Sequence, residues 1–391
     1  MSASERSYDV IVFGATGFTG RLAAEYLARK GLETPIRWAI AGRSAARLAE
    51  VRTALAAIDP ACASLGAIET NSADPASLER MAAQARVILT TVGPYAEHGE
   101  PLVAACIKEG THYVDITGEP DFVDGLLDRH HAAARDRGVR IVNCCGFDSI
   151  PHDLGALFTV KQLPSGGPIN LEGFVRAKGT FSGGTWQSAI GAMGNLRGRA
   201  RRPREEATSG RKVRGIKPRI RHEQRLHAWV CPMPTIDPQI VLRSARALDV
   251  YGPDFRYGHY VQIRSAISLA GLVVGVGAVV ALAQFAPARE LLRKVRGSGE
   301  GPSADERASG FFKVTFFGEA GGQRVVTRVS GGDPGYTETA KMVAESALCL
   351  AFDGDKLSSP GGVLTPAVAM GEVLIERLQK AGIRFEVTEK A

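Results

Sequence analysis

The sequence contains few cysteines, and none of them has the spacing of a metal site. The six lie at positions 62, 106, 144, 145, 231 and 349 of a 391-residue chain, whereas zinc sites commonly separate paired ligands by about two to four residues. His112, His130 and His131 show no metal-ligand spacing either. We therefore expect no metal site, reduced cysteines, and burial of the pair Cys144-Cys145.

We also expect no secretory signal. Met1–Asp9, ahead of the first apolar run, has no hydrophobic segment of the kind that signal peptides carry. With 45% hydrophobic and 23% charged residues, the composition is that of a globular chain and excludes a largely disordered one. The length is enough for about two domains, and we expect a cytoplasmic protein.

The most informative motif lies between the apolar run Tyr8–Phe13 and the helical pattern Arg21–Lys30. Its spacing is G-x-x-G-x-x-G, a variant of the dinucleotide-binding G-x-G-x-x-G. A strand, a glycine-rich turn and a helix start in this order direct backbone N–H groups and a helix dipole at a pyrophosphate. A purely structural turn is the alternative. The predicted cofactor-binding residues are Gly14, Ala15, Thr16, Gly17, Phe18, Thr19 and Gly20.

An acidic residue is absent where NAD-binding sites usually have one. Ile36–Ala41 predicts the second strand, and Gly42, Arg43 and Ser44 follow it. A carboxylate there would hydrogen-bond the ribose 2′-hydroxyl, whereas an arginine pairs with a 2′-phosphate. Arg43 and Ser44 therefore indicate NADP(H), and the alternative is that Arg43 is a solvated loop residue.

Strand and helix patterns alternate from residue 8 to about residue 150, which is typical of a doubly wound parallel sheet. Several stretches resemble the saccharopine dehydrogenase-like oxidoreductases, and within them the trans-acting enoyl reductases. They are the motif at 14–20, Ala-Gly-Arg (41–43), Val-Gly-Pro-Tyr (92–95), Tyr-Val-Asp-Ile-Thr-Gly-Glu (113–119) and Gly-Phe-Asp-Ser-Ile-Pro-His-Asp-Leu-Gly (146–155). Gly179–Thr185 resembles the glycine-rich start of a helix in the family's second domain.

This resemblance implies an α/β protein with three parts. They are an NADP-binding Rossmann domain over residues 1–150, a mixed α/β domain over 151–365, and a C-terminal segment 366–391 whose helix, Pro366–Ala381, returns to the first domain. In the second domain, residues 170–177, 311–317 and 323–329 alternate like strands. The resemblance also implies NADPH-dependent reduction of a carbon–carbon double bond in a long acyl or polyketide lipid.

Enoyl reduction needs a hydride at the β-carbon and a proton at the α-carbon. The nicotinamide is expected near the carboxyl ends of the later strands, which adds Thr91, Val92, Gly93, Pro94, Gly146, Phe147 and Asp148 to the cofactor-binding residues. The candidate catalytic residues are Tyr95, Ser149 and His152. The alternative interpretation of Tyr95 is a packing residue. The alternative for Asp148 is a cap for the helix that begins near Pro151.

One segment supplies the excess of positive charge. Residues 197–225 contain twelve Lys or Arg against three Glu, a net charge of +9, so the rest of this +7 chain sums to −2. Three interpretations remain open: a solvated loop, contact with anionic lipid or an acyl carrier, and nucleic-acid binding. Nucleic acid is disfavoured because aromatic residues are not interleaved with the basic ones.

A second segment, residues 265–288, contains no charged residue and has basic flanks at Arg264 and Arg289. It is long enough to cross a bilayer, and Gly271 and Gly275 form the G-x-x-x-G spacing of membrane helices. A span would separate residues 297–391 from the first domain, which conflicts with the expected return of the C-terminal helix. We therefore favour a helix or tight helical hairpin that lies in one leaflet, with its basic flanks on anionic headgroups, over a buried helix or a span.

These features predict an NADP-dependent oxidoreductase acting on a lipid-like acyl substrate, cytoplasmic and peripherally associated with the plasma membrane. An amino-acid/keto-acid oxidoreductase and a non-catalytic, lipid-associated cofactor-binding protein are the alternatives. A homodimer is left open.

Overall fold

The computed structural model describes residues 6–179, 211–233, 235–285, 288 and 301–391. The chain divides into two compact units, Met1–Ile150 with Gly335–Ala381, and Pro151–Pro334 with Gly382–Ala391. Residues 180–185 of the predicted helix start, residues 197–210 of the basic segment and the basic flank that begins at Arg289 lie outside the described residues.

The first unit contains a seven-stranded parallel sheet. Its strands are β1 (Tyr8–Phe13), β2 (Trp38–Gly42), β3 (Gly66–Glu69), β4 (Ala85–Thr90), β5 (His112–Asp115), β6 (Arg140–Val142) and β14 (Gly362–Leu364). The helices are α1 (Phe18–Gly31), α2 (Ala45–Ala56), α3 (Pro75–Ala82), α4 (Tyr95–Glu109), α5 (Pro120–Asp136), α10 (Thr337–Phe352), α11 (Pro366–Ala369) and α12 (Gly371–Lys380).

The strand order β14-β6-β5-β4-β1-β2-β3 contains the doubly wound order of dinucleotide-binding domains, which reverses between β1 and β4. Every residue of β2, and all of β1 except its first, is buried. Burial on both faces is why these strands read as continuous apolar runs rather than alternating ones. The predicted Rossmann fold is confirmed.

The second unit contains a mixed sheet with the order β15-β13-β12-β7-β11-β10-β9, and β8 pairs with β11. Its strands are β7 (Ile169–Lys178), β8 (Lys212–Gly215), β9 (Arg221–Glu223), β10 (Ala228–Pro232), β11 (Asp254–Ile263), β12 (Phe311–Ala320), β13 (Gln323–Gly331) and β15 (Arg384–Lys390). Its helices are α6 (Ile150–Val160), α7 (Asp237–Ala247), α8 (Ala266–Ala283) and α9 (Ala304–Ala308).

A two-residue turn joins β12 to β13. Gly321 and Gly322 have φ angles of 57° and 80°, the left-handed values that a tight hairpin of this kind requires at both positions. The hairpin pairs antiparallel from Phe312 with Gly331 to Ala320 with Gln323. The strands predicted from alternation at 170–177, 311–317 and 323–329 are therefore confirmed as β7, β12 and β13.

The C-terminal segment 366–391 differs from the single helix expected there. It forms α11, α12 and then β15, which pairs with β13 in the second unit, and Gly382, with a φ of 92°, lies between α12 and β15. The return to the first unit begins at Gly335, well before residue 366, and its first helix is α10. Because most of α10 is buried around its circumference, it lacks the one-sided apolar stripe that makes a helix legible in a sequence.

The apolar segment forms α8, and Ser265 caps it by accepting a hydrogen bond from the N–H of Ser268 at 3.1 Å. Only 12% of the helix is buried. Ile267, Val274 and Leu282 are 86%, 72% and 48% exposed. The alternative of a buried helix is therefore wrong for this segment. Within the described residues, α8 is the one helix whose length and composition would allow it to cross a membrane.

Candidate functional site

The glycine-rich turn connects β1 to α1 at the carboxyl edge of the parallel sheet. Gly14 has a φ of 94°, and its N–H donates to the carbonyl of Ala41 on β2 at 2.9 Å. The N–H of Gly17 donates back to the carbonyl of Gly14 at 2.9 Å. A left-handed φ is strained for any residue with a Cβ, so the first glycine of the motif is required by the backbone.

The third glycine keeps the helix close to the turn. A Cβ on Gly20 would lie 2.2 Å from the carbonyl oxygen of Gly14 and 2.7 Å from Thr91 Oγ1. The N-cap of α1 is Gly17, which offers no side chain to the first N–H groups, and the first turn of α1 contains no acidic residue. A helix start without a side-chain cap and with an uncompensated dipole suits a pyrophosphate at this end.

Arg43 directly follows β2, which is the strand that pairs with β1, and its side chain is exposed. Ser44 is the N-cap of α2, where its hydroxyl accepts from the N–H of Arg47 at 3.4 Å. Ser44 therefore begins the helix that follows the loop, and Arg43 is left accessible to a ligand. A guanidinium at this strand end can form the charge-assisted pair with a 2′-phosphate that the sequence predicts.

The predicted residues after β4 lie beside the glycine-rich turn. The N–H of Thr91 donates to the carbonyl of Phe13 at 3.0 Å, and its hydroxyl lies 3.4 Å from the carbonyl oxygen of Gly14. A Cβ on Gly14 would lie 2.9 Å from Val92 Cγ2. Gly93 and Pro94 then lead into α4, for which Pro94 is the N-cap. The structure thus brings residues 14–20 and 91–94 to one edge of the sheet.

Glu119, a residue at this edge, has a role that no sequence pattern indicates. Its carboxylate accepts hydrogen bonds from the N–H groups of Tyr95 at 3.0 Å and Ala96 at 2.9 Å. Because these are the first two N–H groups of α4, Glu119 satisfies a helix start that a phosphate could otherwise occupy. The start of α1, rather than that of α4, is therefore the better anion site.

Tyr95 is buried, and its hydroxyl is engaged by the main chain. The hydroxyl donates to the carbonyl of Thr90 at 3.2 Å and accepts from the N–H of Ile116 at 3.4 Å. Burial first, and then the carboxylate of Asp115, raise the pKa of Tyr95 well above its ordinary value. These contacts describe the packing residue of the sequence alternative, because the hydroxyl proton is already shared with a carbonyl.

Asp115, at the end of β5, joins two strand ends from within the core. Its carboxylate accepts from the N–H groups of Thr117 at 3.1 Å and Cys144 at 2.9 Å, from the Asn143 amide at 2.7 Å and from the Tyr113 hydroxyl at 2.9 Å. Burial raises the pKa of Asp115 to about 6, although these hydrogen bonds oppose the rise. An acid at the end of an apolar strand was the only sequence signal for this structural role.

The turn at Gly146, Phe147 and Asp148 is held by α10. The N–H of Phe147 donates to Thr339 Oγ1 at 3.1 Å, and a Cβ on Gly146 would lie 3.0 Å from Thr339 Cγ2. Ser149 is fully buried, and its hydroxyl donates to the carbonyl of Asp148 at 2.7 Å. Of these residues Asp148 is the most exposed, so it remains the best placed to meet a ligand.

The predicted burial of Cys144 and Cys145 is confirmed, since both are 0% exposed. Burial raises the pKa of both thiols well above the ordinary value. They are therefore protonated core residues rather than a reactive pair.

His152, the third candidate catalytic residue, lies in a buried cluster of the second unit. Its Nδ1 is 2.9 Å from Asp237 Oδ1, and Asp237 Oδ2 is 3.6 Å from His259 Nε2. The residues come from α6, α7 and β11, and such distant segments give no spacing signal. Burial pushes the pKa of Asp237 upward, but the attraction of His152 and His259 leaves it below its ordinary value. Burial also lowers the pKa of His259 to about 3 despite Asp237.

Comparison with known proteins identifies the first unit and relates the whole chain to full-length relatives. A family model described as the saccharopine dehydrogenase NADP binding domain matches residues 10–142. A Mycobacterium tuberculosis protein provisionally named a trans-acting enoyl reductase is 39% identical over 100% of both chains. The trans-acting enoyl reductase of Mycobacterium ulcerans is 33% identical over 99% of each chain.

The chain belongs to the saccharopine dehydrogenase-like family. Saccharopine dehydrogenase of Saccharomyces cerevisiae, the L-Glu-forming enzyme, aligns with 98% of this chain and 100% of its own, with a TM-score of 0.55 and 12% identity. At that identity the likeness shows the fold alone. As a member of the saccharopine dehydrogenase-like family with the NADP-binding domain, the chain is an NADP-binding oxidoreductase, which confirms the predicted cofactor and class.

The residues of the first unit fit NADP. The close approach at Gly14 and Gly20 leaves no room for a Cβ, the start of α1 has no acidic residue, and Arg43 is exposed at the neighbouring strand end. Gly14, Gly17 and Gly20 would hold the pyrophosphate, and Arg43 would hold the 2′-phosphate. The individual contacts remain predictions.

Proposed function

We propose that this protein reduces a carbon–carbon double bond in a long acyl or polyketide lipid with NADPH, and that it does so at a membrane surface. The reaction class is supported by two full-length relatives that carry the name trans-acting enoyl reductase. The lipid character of the substrate is supported above all by α8, an uncharged helix of 18 residues that is mostly exposed. An exposed apolar surface of this size marks a binding site for something apolar.

The bound NADPH supplies the hydride. The chain's own part is to fix its position, with the glycine-rich turn on the pyrophosphate and Arg43 on the 2′-phosphate. The nicotinamide end is expected at the carboxyl edge of the sheet, near Thr91–Pro94 and Gly146–Asp148, where ligands of doubly wound sheets bind. With Tyr95 engaged by the main chain, and with Ser149 fully buried and its hydroxyl donating to the carbonyl of Asp148, the partly exposed Asp148 is the better candidate for contact with the reacting end.

The membrane contact is proposed as one in which α8 lies in a single leaflet. A helix of 18 residues is about 27 Å long, slightly less than a hydrocarbon core of about 30 Å. A Cβ added at Gly271, Gly275 or Gly277 would meet no described atom within 4 Å, so these three glycines do not provide close packing against the described part of this chain. They remain available to lipid or to a second apolar surface.

The basic segment supplies a complementary charge. Among its described residues, Lys212, Lys217 and Arg219 are exposed, whereas Arg221 and Arg225 are paired with Glu172. Each exposed cation near an anionic bilayer contributes about 1 kcal/mol to binding. We therefore expect vesicles with anionic headgroups to bind the protein more tightly than neutral ones.

The activity is tested by incubating the purified full-length protein with NADPH and two substrate panels. One panel contains enoyl lipids of different chain length, and the other contains amino-acid/keto-acid pairs. We expect NADPH oxidation, measured as the loss of NADPH absorbance, with the enoyl lipids but not with the keto-acid panel. Mass spectrometry should find a product heavier than the substrate by two hydrogens, about 2 Da. Turnover of the keto-acid panel instead would support the amino-acid oxidoreductase, and turnover of neither would support the non-catalytic alternative.

Membrane contact is tested by flotation with vesicles of neutral and anionic phospholipid. Replacing Ile267, Val274 and Leu282 of α8 together by glutamine should reduce binding, because these side chains are exposed and apolar. Leu32→Gln is the matched control, since Leu32 is 62% exposed but lies beyond the end of α1. Equal binding of the α8 variant and the wild-type protein would exclude this helix as the membrane contact.

A further inference from the structure

The second unit contains a cluster of metal-ligating side chains for which the oxidoreductase chemistry has no evident use. His152, Asp237 and His259 each offer one ligand atom, and these three atoms lie within 4.8 Å of one another. All three side chains are only 1% exposed. It is the one group of this kind among the described residues.

We propose that His152, Asp237 and His259 bind a divalent transition-metal ion, with zinc as the best-fitting occupant. Two imidazole nitrogens and one carboxylate oxygen are a ligand set that zinc uses. Hard cations such as magnesium and calcium prefer a set made of oxygens. The absence of a thiolate from the set argues against the softer copper(I) ion.

The distances agree with ligands that share one ion. Tetrahedral zinc with bonds of about 2.0–2.1 Å separates neighbouring ligand atoms by about 3.3–3.4 Å. His152 Nδ1 lies 2.9 Å from Asp237 Oδ1, and His259 Nε2 lies 3.6 Å from Asp237 Oδ2; one ligand atom from each of the three residues lies within 4.8 Å of the other two. The second distance is too long for a hydrogen bond.

His259 supplies an independent indication. Its Nε2 is completely buried and has no hydrogen-bond partner among the described residues. A buried ring nitrogen without a partner is costly, and a metal ion would satisfy it. The other ring nitrogen, Nδ1, lies 3.0 Å from the hydroxyl of Tyr257.

The surroundings resemble the outer contacts of a metal site. Ligating histidines characteristically donate their second ring N–H to an oxygen, which fixes the tautomer and the ring, and Tyr257 is placed to accept from His259 in this way. The hydroxyl of Thr235 donates to Asp237 Oδ2 and so fixes the carboxylate. Because the ligands come from α6, α7 and β11, a bound ion would join three elements of the second unit.

The first experiment uses untagged full-length protein that has been stripped with a chelator and dialysed. Zinc titration followed by elemental analysis should give one equivalent per chain and a higher unfolding temperature, because an ion that binds only the folded state stabilises it. Cobalt(II) in place of zinc should give the intense visible bands of a tetrahedral N/O site. A chain that retains no zinc, or cobalt spectra dominated by thiolate charge transfer, would overturn the proposal.

Variants then assign the site. His259→Gln should abolish stoichiometric binding, whereas His222→Gln should leave it intact, because His222 is exposed and lies outside the cluster. Tyr257→Phe keeps every ligand but removes the hydroxyl beside His259, and should weaken zinc affinity by about 10- to 100-fold.

Equal zinc affinity in the His259→Gln and His222→Gln proteins would show that the cluster is only a buried ion pair. If His259→Gln does not fold, the cobalt spectrum of the wild-type protein and the Tyr257→Phe affinity decide between the two possibilities. Unchanged affinity in Tyr257→Phe would then count against the site.

Discussion

Replacing Gly20 by alanine is the most direct test of how the glycine-rich turn works. In an unconstrained helix interior, glycine to alanine stabilises by up to about 1 kcal/mol. At Gly20 the new Cβ would lie 2.2 Å from the carbonyl oxygen of Gly14 and 2.8 Å from its carbonyl carbon. Because these neighbours are backbone atoms that no rotamer change can move, α1 and the turn must separate.

The magnitude follows from these contacts. Overpacking of a filled site costs about 1–3 kcal/mol, so the free energy of unfolding should fall by that amount instead of rising. If the displaced turn loses two charge-assisted hydrogen bonds to the pyrophosphate, at about 1.5 kcal/mol each, NADPH affinity should fall by about 100-fold or more. Calorimetric titration with NADPH and denaturant unfolding of the cofactor-free protein measure the two effects separately.

Gly31→Ala is a matched control within the same helix. Gly31 is the last residue of α1, and a Cβ added there would have Asp59 Oδ2 as its nearest described atom, at an ordinary contact distance of 3.6 Å. This variant should be as stable as the wild-type protein or more stable by up to about 1 kcal/mol, with unchanged NADPH affinity. Wild-type affinity and stability in Gly20→Ala would refute the argument that the third glycine is required by close approach.

Two further predictions concern cofactor choice and pH. Arg43→Ala should weaken NADPH binding by about 10- to 150-fold, the equivalent of about 1.5–3 kcal/mol for a charge-assisted contact, while NADH binding is nearly unchanged in the same titration; equal losses would disprove the 2′-phosphate role. Burial and then Arg140 lower the pKa of His112 to about 4, so folding favours the neutral ring. The contribution of His112 to the free energy of unfolding, at most about 3 kcal/mol, is therefore present above about pH 6.5 and is lost as the pH falls toward 4. His112→Gln should flatten the pH dependence of the unfolding free energy over that range, and an unchanged slope would contradict the assignment.

Much of the first unit could be predicted from the sequence because its determinants are local. The turn at Gly14 needs a left-handed φ, and the burial of β1 on both faces produces an uninterrupted apolar run. Strand, turn and helix are contiguous in the chain, so one short segment of sequence is enough to predict the whole dinucleotide-binding unit. The role of Arg43 toward the 2′-phosphate could be predicted for the same reason, since Arg43 directly follows β2.

Other roles were hidden because they depend on partners distant in the chain. Glu119 caps α4 from 23 and 24 residues away, and no pattern around it distinguishes a cap from a surface acid. The sequence around Tyr95 is compatible with a proton donor and with a packing residue, and the hydrogen bonds of its hydroxyl with Thr90 and Ile116 favour the packing residue. Hydrogen-bond partners decide such cases, and they are set by the fold rather than by sequence spacing.

The sequence by itself determined the cofactor domain, its preference for NADP and the presence of an exceptional apolar segment. These features could be predicted because backbone conformation, strand burial and hydropathy depend on residues that are adjacent in the chain. Tertiary structure alone decided that α8 is exposed rather than buried, that residues 384–390 are a strand, and that His152 meets Asp237 and His259. Exposure and side-chain clustering depend on which surfaces pack against each other. Packing between segments that are far apart in the chain leaves no local sequence pattern from which it could be predicted.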